Sequence, residues 1–155
     1  MTTKIKAVIT PTLITIRMGS TVSEAQALMK LHRIRHLPVV DEEKQIVGVL
    51  SNTDVQNGLL PSSINVEFLM NSPVDSMDQN TSLRAAILKM LEKKISSLLI
   101  TDKSDEVVGI VTTDDLLWHL AQVLQSEAPE HKPLLSAMNL QTLGKVAHDL
   151  SNFGI

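Results

Sequence analysis

Two short stretches bring hydroxyl and carboxylate groups together at the same spacing: Ser51-Asn52-Thr53-Asp54 and Thr112-Thr113-Asp114-Asp115. Such residues open helices. Thr53 and Asp54 are capping candidates, and a carboxylate is favoured at the positive end of a helix dipole. The same groups can serve a bound polar molecule, since an ionised carboxylate only accepts hydrogen bonds and a hydroxyl can donate them. Arg35-His36 adds a guanidinium fork suited to a phosphate and an imidazole that donates when protonated. The corresponding pair further along, Ser96-Ser97, hydrogen-bonds without supplying charge.

Other constellations carry less chemistry. His32 and His36 are four apart, but the helix between them should end near Arg33, and no third ligand stands at a useful spacing, which argues against a metal. Asp114 and Asp115 point in different directions on a helix and make a poor acid–base pair. Nothing near Ser51 resembles a strained nucleophile elbow. With no cysteine, thiolate chemistry and disulfides are excluded. No catalytic group is therefore expected.

These motifs recur because the chain contains itself twice. Residues 13–60 slide onto 74–121 without a gap, matching Ala25/Ala86, Met29/Met90, Leu37/Leu98, Gly48/Gly109 and Asp54/Asp115. A repeat of this kind buries each unit against its copy. Two units imply a pseudo-twofold axis with a cleft beside it.

Each copy reads strand, helix, strand, strand, helix. Thr12–Arg17 is rich in β-branched residues and predicts a strand, and Ser20-Thr21 caps a helix whose apolar positions recur at three and four. Leu37–Val40 and Gln45–Leu50 form a hairpin around a polar turn. Pro38 belongs at an edge, a strand start or a bulge, and Gly48 permits close approach of a second backbone or a ligand. A helix follows over 53–60. Copy two repeats the order with strand 74–77, helix 82–93, strands 97–101 and 106–111, and a helix from 113 or 114 to about 125. Between the copies, 61–73 reads as a link with a short helical stretch, Asn65–Met70. Beyond 126, Leu140, Leu143, Val146, Ala147 and Leu150 form one amphipathic face.

A chain of 155 residues makes one ordinary domain, and with one Trp, two Phe and no Tyr its core must be aliphatic. The net charge of −3 without a long basic run argues against nucleic acid. No stretch approaches the roughly 18 apolar residues of a membrane span, and MTTKIKAVIT lacks a signal-peptide core. A cytoplasmic location is expected.

The stretches STVSEAQALMKLHRIRHLPVVDEEKQIVGVLSNTD and TSLRAAILKMLEKKISSLLITDKSDEVVGIVTTDD resemble a pair of cystathionine β-synthase (CBS) domains. The resemblance implies an α/β (α+β) fold of two β-α-β-β-α repeats, about 8–60 and 70–122, in a module of residues 1–125. The extension 126–155, with its amphipathic helix, lies outside it. It also implies a non-catalytic regulatory or sensor module with an adenosine-containing nucleotide (AMP, ADP or ATP) between the repeats and no required cofactor. On that pattern Ser51, Asp54, Thr112 and Asp115 meet ribose and phosphate, and Arg35, His36, Ser96 and Ser97 face phosphates. Thr15-Ile16, Ser76-Met77, Leu37-Pro38 and Leu98-Leu99 hold the base. The clefts should be unequal, with Arg35 and Asp54 together favouring a phosphate in the copy-one cleft.

The alternative is a dimerisation or partner-binding module with vacant clefts, whose C-terminal helix docks on its own module, a second subunit or a protein partner. The resemblance further implies a homodimer through the repeat helices. Light scattering at micromolar concentration checks this: twice the chain mass is expected, and a single chain mass refutes it.

Overall fold

The computed structural model describes residues 3–56 and 61–127. Residues 57–60 of the expected helix 53–60, and the amphipathic stretch from Leu140 to Leu150, lie outside the described residues.

In the first repeat, β1 (Ile16–Arg17) leads to α1 (Val22–His32), the hairpin β2 (His36–Val40) and β3 (Ile46–Ser51), and the short α2 (Asn52–Val55). The second repeat runs β4 (Ser76–Asp78), α3 (Leu83–Lys93), β5 (Ser97–Thr101), β6 (Val107–Thr112) and α4 (Thr113–Glu127). Each repeat holds a three-stranded sheet, in the orders β1-β2-β3 and β4-β5-β6, with the first pair parallel and the second antiparallel. Met1–His119 forms one compact unit, and α4 continues into a second that begins at Leu120.

Local sequence explains the helices. Thr21 caps α1 through a reciprocal box: its hydroxyl accepts from the Glu24 amide at 3.3 Å, and the Glu24 carboxylate accepts from the Thr21 amide at 2.7 Å. Val22, Ala25 and Met29 face inward, and Leu83, Ala86 and Met90 do the same on α3. Both helices stop at a residue in the left-handed conformation, Arg33 (φ 54°) and Lys94 (φ 55°).

The leading strands are shorter than the β-branched run predicts, and β4 starts two residues and ends one residue later than the expected 74–77. In the second repeat the Leu99 amide donates to the Asp75 carbonyl at 3.0 Å. Its counterpart in the first repeat is Pro38, which has no N–H to offer the equivalent Ile14 carbonyl. Parallel pairing there begins only at Ile16↔Val39, against Ser76↔Leu99 in the second repeat. Pro38 thus lies in the middle strand, just ahead of the point where β1 joins it and one residue before the register shift at Val39/Val40.

The stretch expected to be a mere link is the counterpart of the chain's start. A one-turn 3₁₀ helix at Val66–Phe68 answers another at Ile5–Ala7, displaced by the same 61 residues. These leading segments are exchanged. Ile5 donates to the Thr81 carbonyl and is fully buried in the second repeat's core, whereas Val66 donates to the Ser20 carbonyl and is fully buried in the first. Burying each side chain contributes about 1.5–3 kcal/mol. A few residues on, Thr10 bridges to Ile110 and Asn71 bridges to Val49, each by two backbone hydrogen bonds of 2.9–3.1 Å.

The strand glycines sit beneath these crossings. A Cβ on Gly109 would lie 2.6 Å from the Thr10 carbonyl oxygen, whereas one on Gly48 would meet the Met70 side chain, with Cγ at 2.7 Å. A backbone oxygen held in a bridge cannot withdraw, but a methionine can change rotamer. Gly109→Ala is therefore expected to destabilise by roughly 1–3 kcal/mol and Gly48→Ala by distinctly less, as thermal melts of the two variants would show.

Candidate functional site

The exchange produces two cavities related by the pseudo-twofold. The larger, of about 420 Å³, is lined by Ser51, Thr53 and Asp54 from the first repeat, the crossing segment Asn71–Asp75, and Lys94–Ser97 with Leu99. The smaller, of about 170 Å³, is lined by Thr112, Asp114 and Asp115, the crossing residues Thr10 and Thr12–Ile14, and Arg33–His36 with Pro38. Ligand pockets usually occupy about 300–1,000 Å³. Only the larger of these two reaches that range.

At both cavities the hydroxyl–carboxylate pair is a capping box. Ser51, not Thr53 or Asp54, is the N-cap of α2: Asp54 Oδ2 accepts from the Ser51 amide at 2.7 Å and its hydroxyl at 2.6 Å. Asp115 Oδ2 accepts from the Thr112 amide and hydroxyl, both at 2.7 Å. The amides of Ser51, Asp54, Thr112 and Asp115 are thereby committed to the boxes. They are not spare donors for a phosphate.

The carboxylates differ in what else they hold. Asn71 donates to Asp54 Oδ2 at 3.3 Å, so all of its bonds converge on one oxygen and Oδ1 accepts none among the described residues. At the other cavity, the Thr10 hydroxyl donates to Asp115 Oδ1 at 3.2 Å. Thr10 and Asn71 are pseudo-equivalent, and each comes from the repeat opposite the carboxylate it touches.

The expected grouping of Arg35 and Asp54 is corrected by this topology. Arg35 lines the smaller cavity, where its Nη1 lies 3.3 Å from Asp114 Oδ1 with both groups more than half exposed. Such a pair is worth about 0–1 kcal/mol. The copy-one carboxylate instead shares its cavity with Ser96, Ser97 and Lys94. The cause is the exchange, which sets each repeat's carboxylate opposite the other repeat's β-strand entry.

His36 lines both cavities, and its Nε2 lies 2.8 Å from Ser96 Oγ in a hydrogen bond across the repeats. Burial lowers its pKa from the usual 6.5, reinforced by Arg35 and opposed by Asp114, Asp54 and Asp115. The shift favours the neutral imidazole over the expected cationic donor. Among the described residues no group of three potential ligands could hold a metal.

Several base-holding candidates are displaced. Thr15, Ile16, Ser76 and Met77 line neither cavity; residues 12–14 and 72–75, just before them, do. Leu37 and Leu98 point into the two cores, leaving the flanking Pro38 and Leu99 at the cavity walls. Alternation along a strand puts neighbours on opposite faces, so a one-residue step exchanges wall for core. Thr15 lines a separate cavity of about 510 Å³ with Arg17, Lys44, Asp105 and Glu106.

Sequence reasoning missed Arg33 and Lys94, which end α1 and α3 and line one cavity each. Their signal was a cation at the same repeat position where glycine or asparagine is the usual helix terminator. Asp75 was also missed; Lys93 donates to it at 2.6 Å, and that bond first of all holds its carboxyl below the ordinary carboxylate value.

A family model described as the CBS domain matches twice, over residues 5–60 and 65–122. A CBS domain pair crystallised with 5′-methylthioadenosine and S-adenosyl-L-methionine is 27% identical, with a TM-score of 0.72 over 79% of this chain and 99% of that one. A conserved protein from Pyrococcus horikoshii is 30% identical, with a TM-score of 0.71 over 77% of this chain and 93% of that one. The homoserine O-acetyltransferase of Methanohalobium evestigatum is 32% identical over 102 residues, 66% of this chain. The chain spans about a fifth of the length of the curated relatives it matches (21% and 22% of two of them). No helix among the described residues is long and apolar enough to cross a membrane.

The His36 pKa shift fixes a pH dependence. Its folded value lies below 6.5, so the unfolded chain binds more protons as the pH falls from 6.5 through the folded value. This contribution to stability is intact above 6.5 and is lost across that window. Denaturant titrations from pH 7.5 to 5 should show the wild type losing stability, and His36→Gln should remove part of that slope.

Proposed function

The chain belongs to the CBS domain family, and on that premise we propose that it is a regulatory module whose larger cavity binds an adenosine-containing ligand. The observation that carries this reading is Asp54. Its Oδ1 has no partner among the described residues, and its other oxygen is fixed by three donors at the wall of a cavity of suitable size. A rigid carboxylate with one open oxygen suits the hydroxyls of a ribose. Val49, Val74, Ile95 and Leu99 offer aliphatic surface to a flat base, and the Ser96 and Ser97 hydroxyls offer further hydrogen bonds. The solved neighbour crystallised with two adenosine compounds supports the ligand class.

The charge of the cavity narrows that class. Lys94 is the one Lys or Arg in its lining and makes no salt bridge among the described residues. Asp54 and Asp75 both line the same cavity. This balance favours AMP, or an adenosine without phosphate, over the polyphosphates ADP and ATP. The cavity draws on both repeats, so an occupant favours one relative arrangement of them, by no more than its difference in affinity between arrangements. A partner-binding role is favoured by a separate observation: Leu91 and Trp118 on the second repeat's helices are 68% and 70% exposed.

AMP and 5′-methylthioadenosine are expected to raise the melting temperature, by about 2.7 kcal/mol of stabilisation at a hundredfold excess over Kd. Asp54→Ala should weaken both ligands about 10- to 100-fold, the worth of a charged hydrogen bond. Lys94→Ala should weaken AMP more than adenosine, and Arg35→Ala should leave both affinities at the larger cavity unchanged. Calorimetric titration decides. If no adenosine compound binds at millimolar concentration, the reading is wrong.

A further inference from the structure

The two cavities arise from one pattern, yet they differ at the groups that would meet a ligand. Position 10 carries a threonine whose hydroxyl reaches Asp115 Oδ1, whereas its counterpart Asn71 bonds the already committed Oδ2 of Asp54. Position 35 carries an arginine reaching across to Asp114 at 3.3 Å, whereas its counterpart Ser96 bonds His36. The cavity in which the second carboxylate oxygen is engaged and an arginine pairs with Asp114 is the smaller, about 170 against 420 Å³.

We propose that Thr10 and Arg35 are specificity-determining residues that close the second cavity from within, so that each chain takes one adenosine ligand despite its two-fold repeat. This rests on the reading of the larger cavity given above. The Thr10 hydroxyl plays the part of a sugar hydroxyl: it donates to Asp115 Oδ1, the counterpart of the oxygen that stays open on Asp54. Arg35 bridges to Asp114 across the same cavity. Both bridges join the two repeats, since Thr10 and Arg35 precede the link and Asp114 and Asp115 begin α4. A second ligand would have to break them. It would also have to enlarge a space below the usual size of a ligand pocket.

Removing both side chains should open the site, because Asp115 and Thr112 keep their box and supply the same acceptor geometry as Asp54 and Ser51. Thr10 also bridges to Ile110 through its backbone, and those bonds survive a side-chain change.

Isothermal titration of the full chain with adenosine and with AMP tests the proposal. The wild type is expected to bind one equivalent, abolished or weakened at least tenfold by Asp54→Ala and changed less than threefold by Asp115→Ala. The double variant Thr10→Ala/Arg35→Ala is expected to bind two, and Thr10→Ser, which keeps the hydroxyl, one. Two equivalents on the wild type, or one on the double variant with its circular dichroism unchanged, would overturn the closure while leaving the larger site in place. No binding by the wild type overturns both readings. A double variant that does not fold shifts the decision to the two single Asp variants, where equal losses refute the proposal.

Discussion

The exchange of leading segments is the constraint on which the rest of the molecule depends. Each repeat supplies a sheet and helices but lacks one apolar plug for its core. Ile5 fills the second repeat and Val66 the first, both fully buried. The chain must then pass close over a β-strand of the opposite repeat to return to its own sheet. Gly48 and Gly109 lie beneath that passage, where a Cβ would meet Met70 and Thr10. Neither repeat can complete its core without the other, so the pair is the folding unit, consistent with the single compact unit spanning Met1–His119.

The same crossing makes the cavities. After bridging to Val49, the chain runs through Asn71–Asp75 before entering β4, and that passage forms one wall. The facing wall is the strand-to-helix corner at Ser51–Asp54. A capping box locks this corner by directing the carboxylate back to its own backbone, which also fixes where its other oxygen points. Capping and ligand contact therefore do not compete for Asp54; the first orients the group for the second.

Much of the fold was legible because its signals are local. The helix periodicities, the Thr21–Glu24 cap and the hairpin order follow from neighbours within a turn or a strand. The exchange was not legible, since residues 4–12 and 65–73 share no identical pair, and their kinship lies in apolar positions such as Ile5/Val66 and Ile9/Met70. The Ser51/Asp54 and Thr112/Asp115 pairs could be picked out by register. Their neighbours could not, because Lys94 shares a cavity with Asp54, and Arg35 pairs with Asp114 beside Asp115, only once the crossing is known. The shortened β1 needed a structural comparison of Pro38 with Leu99, although proline chemistry alone accounts for it.

A cavity shared between repeats changes how asymmetry should be reasoned. The core positions of the two copies stay alike in type, with Leu37/Leu98, Val39/Ile100 and Leu50/Val111 all buried. The differences at 10/71, 14/75, 35/96 and 36/97 fall on the cavity walls. Because the walls are exchanged, an arginine in the first repeat alters the site of the second repeat's carboxylate. Asking which repeat looks better suited to a ligand therefore has no answer. The useful unit is a carboxylate corner together with the crossing segment and strand entry that face it, and by that measure the two sites are chemically distinct although the backbone around them nearly repeats.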